Sequence, residues 1–404
     1  MRNRGRSKHY STLEVLGPEH EFSLVDDRLQ AKSVVDQAIK ALGNRVANNV
    51  SVDGWSFGKE LQTHVAELKA NEPFRSPKRF EDTMYSAAVR VGDFLRKEFN
   101  VSLLGTGMHP FLLLEETGIW RHRDRRIFDA LSQVFNLRQH GWLNIQSYQL
   151  NLPYADEEDG IWLHNAIVNL VPYLPAVASS SPIIESKVGR FLDNRLYFYG
   201  ASQREIPSIT GDVVPEYVAS FEEYWRRVIS TYSSDLRVAG APAVLLNREW
   251  INSRGAIFRF DRRAIEIRVM DEQECIKMDV ALSCFIRALL RGWLRDGLIH
   301  QSRDILISDY RAIIRDGLSA QVKHPRGKTA RDVLLDFLTI ARGSSTPDER
   351  EYLSLIERRV IQGSLSHMIL RDTVKSAGER SFRDSVLEVY LTLIKCLRDN
   401  RPYF

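Results

Sequence analysis

Leu13-Glu-Val-Leu-Gly-Pro-Glu-His-Glu-Phe-Ser-Leu-Val25 alternates with a period of two. Glu19, Glu21 and Ser23 fall on one side, and His20, Phe22 and Leu24 on the other. That is the pattern of a strand with one packed face and one polar face. Two carboxylates so close on one face repel each other, and burial raises the cost, so a cation is the usual remedy. An exposed edge strand carries the same pair without one, and spacing alone leaves both readings open.

Two further acidic stretches extend the pattern. Gly58-Lys-Glu60-Leu-Gln-Thr-His-Val-Ala-Glu67-Leu68 places carboxylates seven residues apart among half-apolar neighbours. A helix would bring Glu60 and Glu67 together, whereas a regular strand would aim them oppositely unless it bends. Ordinary surface glutamates also account for them. In Ala264-Ile-Glu266-Ile-Arg268-Val-Met270, alternation buries the isoleucines and valine and aims Glu266 and Arg268 the same way. The guanidinium then offers a planar fork suited to phosphate oxygens, or else an ion pair with the acid. Carboxylates without cysteine or histidine partners favour magnesium or manganese over zinc. Magnesium with carboxylates and arginine is what phosphoryl transfer from a nucleotide requires.

The rest of the chain sets the frame. Asn144 to Leu152 is a third strand-like segment, Arg79 to Phe99 and Ala219 to Tyr232 read as helices, and Ile167 to Ile184 reads as a buried helix ending near Ser181-Pro182. From about Met278 onward only helical periodicity remains. The expectation is an α+β catalytic region over 13–290, with a helical C-terminal region over 291–404 packed on it. Residues 1–12 would be a basic flexible tail.

Of 404 residues, 44% are hydrophobic, which excludes disorder for the bulk of the chain. Fifty-six basic residues nearly cancel fifty-two acidic ones, so there is no general polyanion-binding surface. The basic start and the Arg121–Arg126 cluster are where a nucleic acid could touch, and a solvated tail is the simpler reading. Three cysteines without a CxxC pair point to a reducing, cytoplasmic compartment. No apolar run is unbroken enough to span a bilayer. Gly327-Lys328-Thr329 lacks the upstream glycine of a phosphate-binding loop, and His122-Arg123-Asp124 lacks the asparagine of a kinase loop.

Six segments, in order, resemble the second glutamate–cysteine ligase family, the carboxylate–amine ligases. Gly17-Pro-Glu19-His-Glu21-Phe22 is similar to its G-x-E-x-E-F opening, and Glu60 to Leu68 to its second acidic segment. Leu104-Gly-Thr-Gly-Met-His109-Pro110-Phe111 resembles a G-T-H-P-F strand end with one residue inserted. Leu174 to Pro182 resembles a proline-and-serine helix, Ser202-Gln-Arg204 an S-x-R element, and Ile265 to Asp271 an E-V-R-V-x-D strand.

The resemblance implies a glutamine-synthetase-like fold, a curved antiparallel sheet holding metals and nucleotide on its concave face. By position, Glu19, Glu21, Glu60, Glu67 and Glu266 would be magnesium (or manganese) ligands, and Arg268 would contact the transferred phosphoryl group. Arg204 would bind nucleotide phosphate or a substrate carboxylate. The implied reaction joins a carboxylate, the γ-carboxylate of glutamate, to an amine, with cysteine the best-known acceptor. It consumes ATP through an acyl phosphate, with Glu21 and Arg268 carrying the chemistry. Gln149 stands where the family usually has a metal-assisting histidine. Its amide offers a carbonyl oxygen to magnesium but no proton acceptor, which also admits a catalytically silent nucleotide or metabolite sensor. The acceptor amine and the oligomeric state are not legible.

Overall fold

The computed structural model describes residues 9–43, 47–120, 125–378 and 380–404. Most of the tail, and Arg121 to Asp124 of the basic cluster, lie outside the described residues. Among the described residues ten strands form: β1 (Gly17–Val25), β2 (Asn49–Val52), β3 (Trp55–Lys59), β4 (Val65–Ala70), β5 (Ser102–Leu104), β6 (Ser147–Pro153), β7 (Ile183–Ile184), β8 (Lys187–Val188), β9 (Ala256–Arg259) and β10 (Ala264–Asp271). Eight build one antiparallel sheet in the order β2-β3-β4-β1-β6-β10-β9, with β5 also paired to β1; β7 and β8 make a separate hairpin.

β1 lies in the middle because its apolar residues on one side find a large core. Phe22 and Leu24 are buried, and the long helices Pro77–Phe99 and Ile276–Asp296 lie on that side, where Phe80 and Asp279 both approach His20. Pro77–Phe99 starts at Ser76, whose hydroxyl accepts from Arg79 N–H, and stops at Asn100 in a left-handed conformation. Its buried Phe80, Met84, Ala87, Ala88, Val91 and Leu95 recur every three or four residues. Ile276–Asp296 is buried around nearly its whole circumference.

β3 and β4 form a hairpin, so Glu60 and Glu67 meet through a bend between strands, with Gly58 opposite Glu67. β10 slips register against β6 between Ile267 and Met270, a bulge that places Asp271 opposite Ser147. Gly105 and Gly107 let the chain after β5 pass close beneath this strand end. A Cβ on Gly105 would lie 2.2 Å from the Gln273 carbonyl oxygen, and one on Gly107 2.2 Å from the Asp271 carboxyl carbon.

The helix expected over Ile167 to Ile184 is divided. Glu157–Leu170 ends before Pro172, Pro175–Ala178 is a separate turn, and Ile183 already belongs to β7, because each proline removes a backbone donor. The segment is nevertheless buried, as its composition requires. Ala219 to Tyr232 is helical but contains a π-turn at Trp225–Ile229. Among the described residues no strand follows β10. Helices Arg303–Asp316, Ala330–Ser344, Pro347–Gln362, Leu365–Ser376 and Phe382–Asp399 complete the chain. Ile276–Asp296 runs straight through position 290, and one apolar cluster joins residues from both sides of it. Among the described residues no helix is long and apolar enough to cross a membrane.

Candidate active site

Antiparallel register gathers the acidic residues. Glu19 lies opposite Lys69 on β4 and Gln149 on β6, Glu21 opposite Glu67, and Glu266 opposite Asn151. All therefore project from the face that the two long helices leave uncovered. Glu21 is clamped: Ser147 N–H donates to its Oε2 at 2.7 Å and the Gln149 amide to its Oε1 at 2.9 Å. Asn151 donates to Glu19 Oε1 at 3.0 Å, and Arg262 lies 2.5 Å from the same oxygen. Lys69 lies 2.5 Å from Glu67. Glu266, fully buried, is held by Arg259 at 2.5 Å and Arg268 at 2.7 Å.

The electrostatics are those of too many carboxylates for the space. Burial pushes Glu21 above the usual carboxylate range, against the Ser147 N–H that favours its charge. Glu60 is pushed well above it, first by burial and then by the charges of Glu21 and Glu67. Burial and neighbouring Glu19 raise Glu67 to about 7. Glu19 alone goes down: burial would raise it, but Arg262 and Lys69 win and hold it at about 2. Four carboxyl groups thus share a face on which they cannot all carry charge unaided. An all-oxygen donor set with surplus negative charge is of the kind that suits a hard divalent cation. Glu266 reaches this cluster as the partner of two guanidinium groups.

Beneath the face, on the other side of β1, His20 meets Glu272 at 3.2 Å and Asp279 at 3.4 Å, all three without solvent exposure. Burial alone would lower the imidazole, but Glu272 and Asp279 reverse this and hold it at about 10. Glu272 also accepts from the Glu21 backbone N–H at 3.2 Å, so this buried group fixes the strand that presents Glu21. Tyr148 stacks on His20 with ring centroids 5.0 Å apart. Supports of this kind typically matter about 10–100-fold to the ligand they orient. Glu272→Ala is therefore expected to weaken manganese binding, read by titration calorimetry, by about tenfold. Binding unchanged by that substitution would contradict the support role.

Two residues absent from the sequence reading complete the site. Arg195, 1% exposed, donates from Nε to Asp271 at 2.5 Å, while its terminal nitrogens lie 3.3 Å from the Arg268 carbonyl oxygen. Ser180 N–H holds the other Asp271 oxygen at 2.7 Å. The strand end and the proline-and-serine segment therefore lock one guanidinium flush with the face. Arg262, on the β9–β10 turn, reaches Glu19. Arg204 is exposed on a turn and lines neither cavity of the face; its neighbour Gln203 lines one. His109 is structural, accepting from Phe111 and Leu112 N–H through Nδ1.

The carboxylates stand between two cavities. One, of about 570 Å³, is lined by Glu21, Glu60, Gln149, Arg195 and Arg268. The other, of about 680 Å³, is lined by Glu19, Lys69, Asn151 and Arg262.

Comparison with known proteins gives concordant results. The model of glutamate–cysteine ligase family 2 matches residues 15–388. A protein of Archaeoglobus fulgidus, described as uncharacterized, is 41% identical over 389 residues, covering 96% of this chain and all of that one. A relative from Legionella pneumophila (strain Corby), provisionally named glutamate–cysteine ligase 2-2, is 26% identical over 269 residues, 63% of each chain. Among solved structures, glutamate–cysteine ligase from Francisella tularensis in complex with AMP superposes with a TM-score of 0.64 at 14% identity, covering 97% of this chain and 90% of that one. A bifunctional glutathione synthetase from Pasteurella multocida gives 0.60 at 14% identity, with 95% and 52% covered. The structural likeness establishes the shared α+β fold, and the family match over most of its length establishes kinship: this chain belongs to glutamate–cysteine ligase family 2.

Proposed function

We propose that the protein is an ATP- and magnesium-dependent carboxylate–amine ligase that activates the γ-carboxylate of glutamate as an acyl phosphate and transfers it to an amine. The observation that carries this reading is the crowded carboxylate face between two cavities, one for each side of a phosphoryl transfer. Magnesium, when bound, supplies charge neutralisation on phosphate oxygens; manganese has the same ligand preferences. Glu19, Glu21, Glu60 and Glu67 would hold it, with Glu266 and Gln149 at the margin.

The chain's own groups then do two things. Arg268, kept in place by Glu266 and by the Asn252 carbonyl at 3.1 Å, presents positive charge to the phosphoryl oxygens as they leave ADP. Arg195, locked by Asp271 and the Arg268 carbonyl, adds fixed positive charge to the same cavity beside Glu21. The carboxylate oxygen of glutamate bonds to the γ-phosphorus as the bond to ADP breaks. The amine nitrogen next attacks the acyl carbon, phosphate leaves with the bridging oxygen, and the amine loses a proton to form the amide. No protein nucleophile is required; positioning and charge carry the rate.

Hydroxylamine tests this directly, since it intercepts acyl phosphates. With ATP, magnesium and glutamate, the reading expects γ-glutamyl hydroxamate and one ADP per hydroxamate. EDTA should abolish both and manganese restore them. ATP binding by calorimetry with no ADP under any amine would instead establish the silent sensor that Gln149 admits.

A further inference from the structure

Five large apolar side chains, Ile127, Phe128, Trp142, Ile145 and Trp250, are left half-exposed around the cavity of about 570 Å³. They come from separate segments: the helices Arg125–Val134 and His140–Leu143, the approach to β6, and the turn Glu249–Ile251. Scattered exposed apolar residues need no explanation, but a concave wall of them above a charged floor marks a ligand site. Phosphoryl transfer makes no use of such a wall. Trp142 is held rigidly, its indole N–H donating to the Ser202 carbonyl at 2.8 Å and its ring 5.7 Å from Phe135. On the floor, Arg195, fixed by Asp271 and the Arg268 carbonyl, keeps a buried positive charge beside Glu21 and Arg268. The second cavity differs: polar Asn49, Ser51 and Asn71 line it with Lys69 and Arg262, which pair with Glu67 and Glu19, and with the acidic Glu72 and Asp261.

We infer that this walled cavity receives the acceptor amine, and that the acceptor is an amino acid with a bulky apolar or aromatic side chain. Its carboxylate lies toward the positive charge of Arg195, its side chain lies against Trp142 and Trp250, and its amino group faces the Glu21–Arg268 end, where the acyl phosphate forms. The nitrogen displaces phosphate from the acyl carbon and gives up a proton, so no further reactant is needed. The inference rests on the ligase reading above.

The experiment is ADP release with saturating magnesium–ATP and glutamate across alanine, cysteine, leucine, phenylalanine and tryptophan. Leucine or an aromatic amino acid is expected to exceed alanine and cysteine at least tenfold in kcat/KM. Trp142→Ala should raise KM for that acceptor at least tenfold and leave KM for ATP within twofold. Trp250→Ala should shift the same constant even where Trp142→Ala folds poorly. Preference for cysteine or alanine, or an increase in KM for ATP instead, would overturn this inference while sparing the ligase reading. Absence of ADP with every amine would overturn both.

Discussion

Glu21→Gln should lower turnover on the order of 10²–10³-fold without measurable loss of stability, because it removes one charge from the place where phosphoryl charge must be balanced. Glutamine is close to isosteric: its oxygen still accepts from Ser147 N–H, and its NH2 is met by the Gln149 amide oxygen once that side chain turns over. Burial already disfavours the charge on Glu21, so a neutral side chain relieves the fold and does not weaken it. The loss therefore belongs to function. Arg268→Ala is expected to cost a similar factor, since Arg259 continues to neutralise Glu266 while the phosphoryl oxygens lose their cation. Arg204→Ala, on an exposed turn, should leave kcat and KM within about twofold, as exposed substitutions usually do. Thermal melts and steady-state kinetics on the three variants separate these outcomes. Full turnover in both Glu21→Gln and Arg268→Ala would refute the assignment of this face.

The largest effect on stability should come from a pair behind the site. Arg359 lies 2.5 Å from Glu274, and both side chains are fully buried. Glu274 also accepts from Tyr403 N–H at 2.8 Å, and the Arg359 guanidinium stands 5.1 Å from the Phe404 ring. Arg359→Ala strands the Glu274 charge in the core, which costs about 3–5 kcal/mol. Melting should then fall by ~5 °C. Combining Arg359→Met with Glu274→Gln should recover most of the loss, because two neutral groups leave no uncompensated charge. A single-variant loss below about 1 kcal/mol would show that the pair contributes little to the fold.

The strands were legible wherever period-two alternation met burial on one side. Glu19, Glu21, Glu266 and Arg268 could be placed on a face from local pattern alone. Glu60 and Glu67 could not, since their meeting depends on the β3–β4 bend, a non-local fact. Arg195 stayed hidden because Asp193-Asn-Arg195-Leu looks like an ordinary helix start. Its importance comes from Asp271, which reaches the face only through the β10 bulge. The assignment to Arg204 followed the Ser202-Gln-Arg204 resemblance, yet the chain turns that side chain to solvent. His20 read as an apolar-face residue, and nothing nearby in sequence announces Glu272 and Asp279. The divided helix at Pro172 shows the opposite case, where local chemistry outweighed apolar continuity.

The most direct test of the central claim follows one oxygen. Glutamate carrying ¹⁸O in its γ-carboxylate is incubated with ATP, magnesium and the preferred amine, and the released phosphate is weighed by mass spectrometry. An acyl phosphate formed on this face transfers one ¹⁸O to each phosphate, in step with amide formation and not at all in Glu21→Gln. Phosphate released with amide but without ¹⁸O would contradict the account.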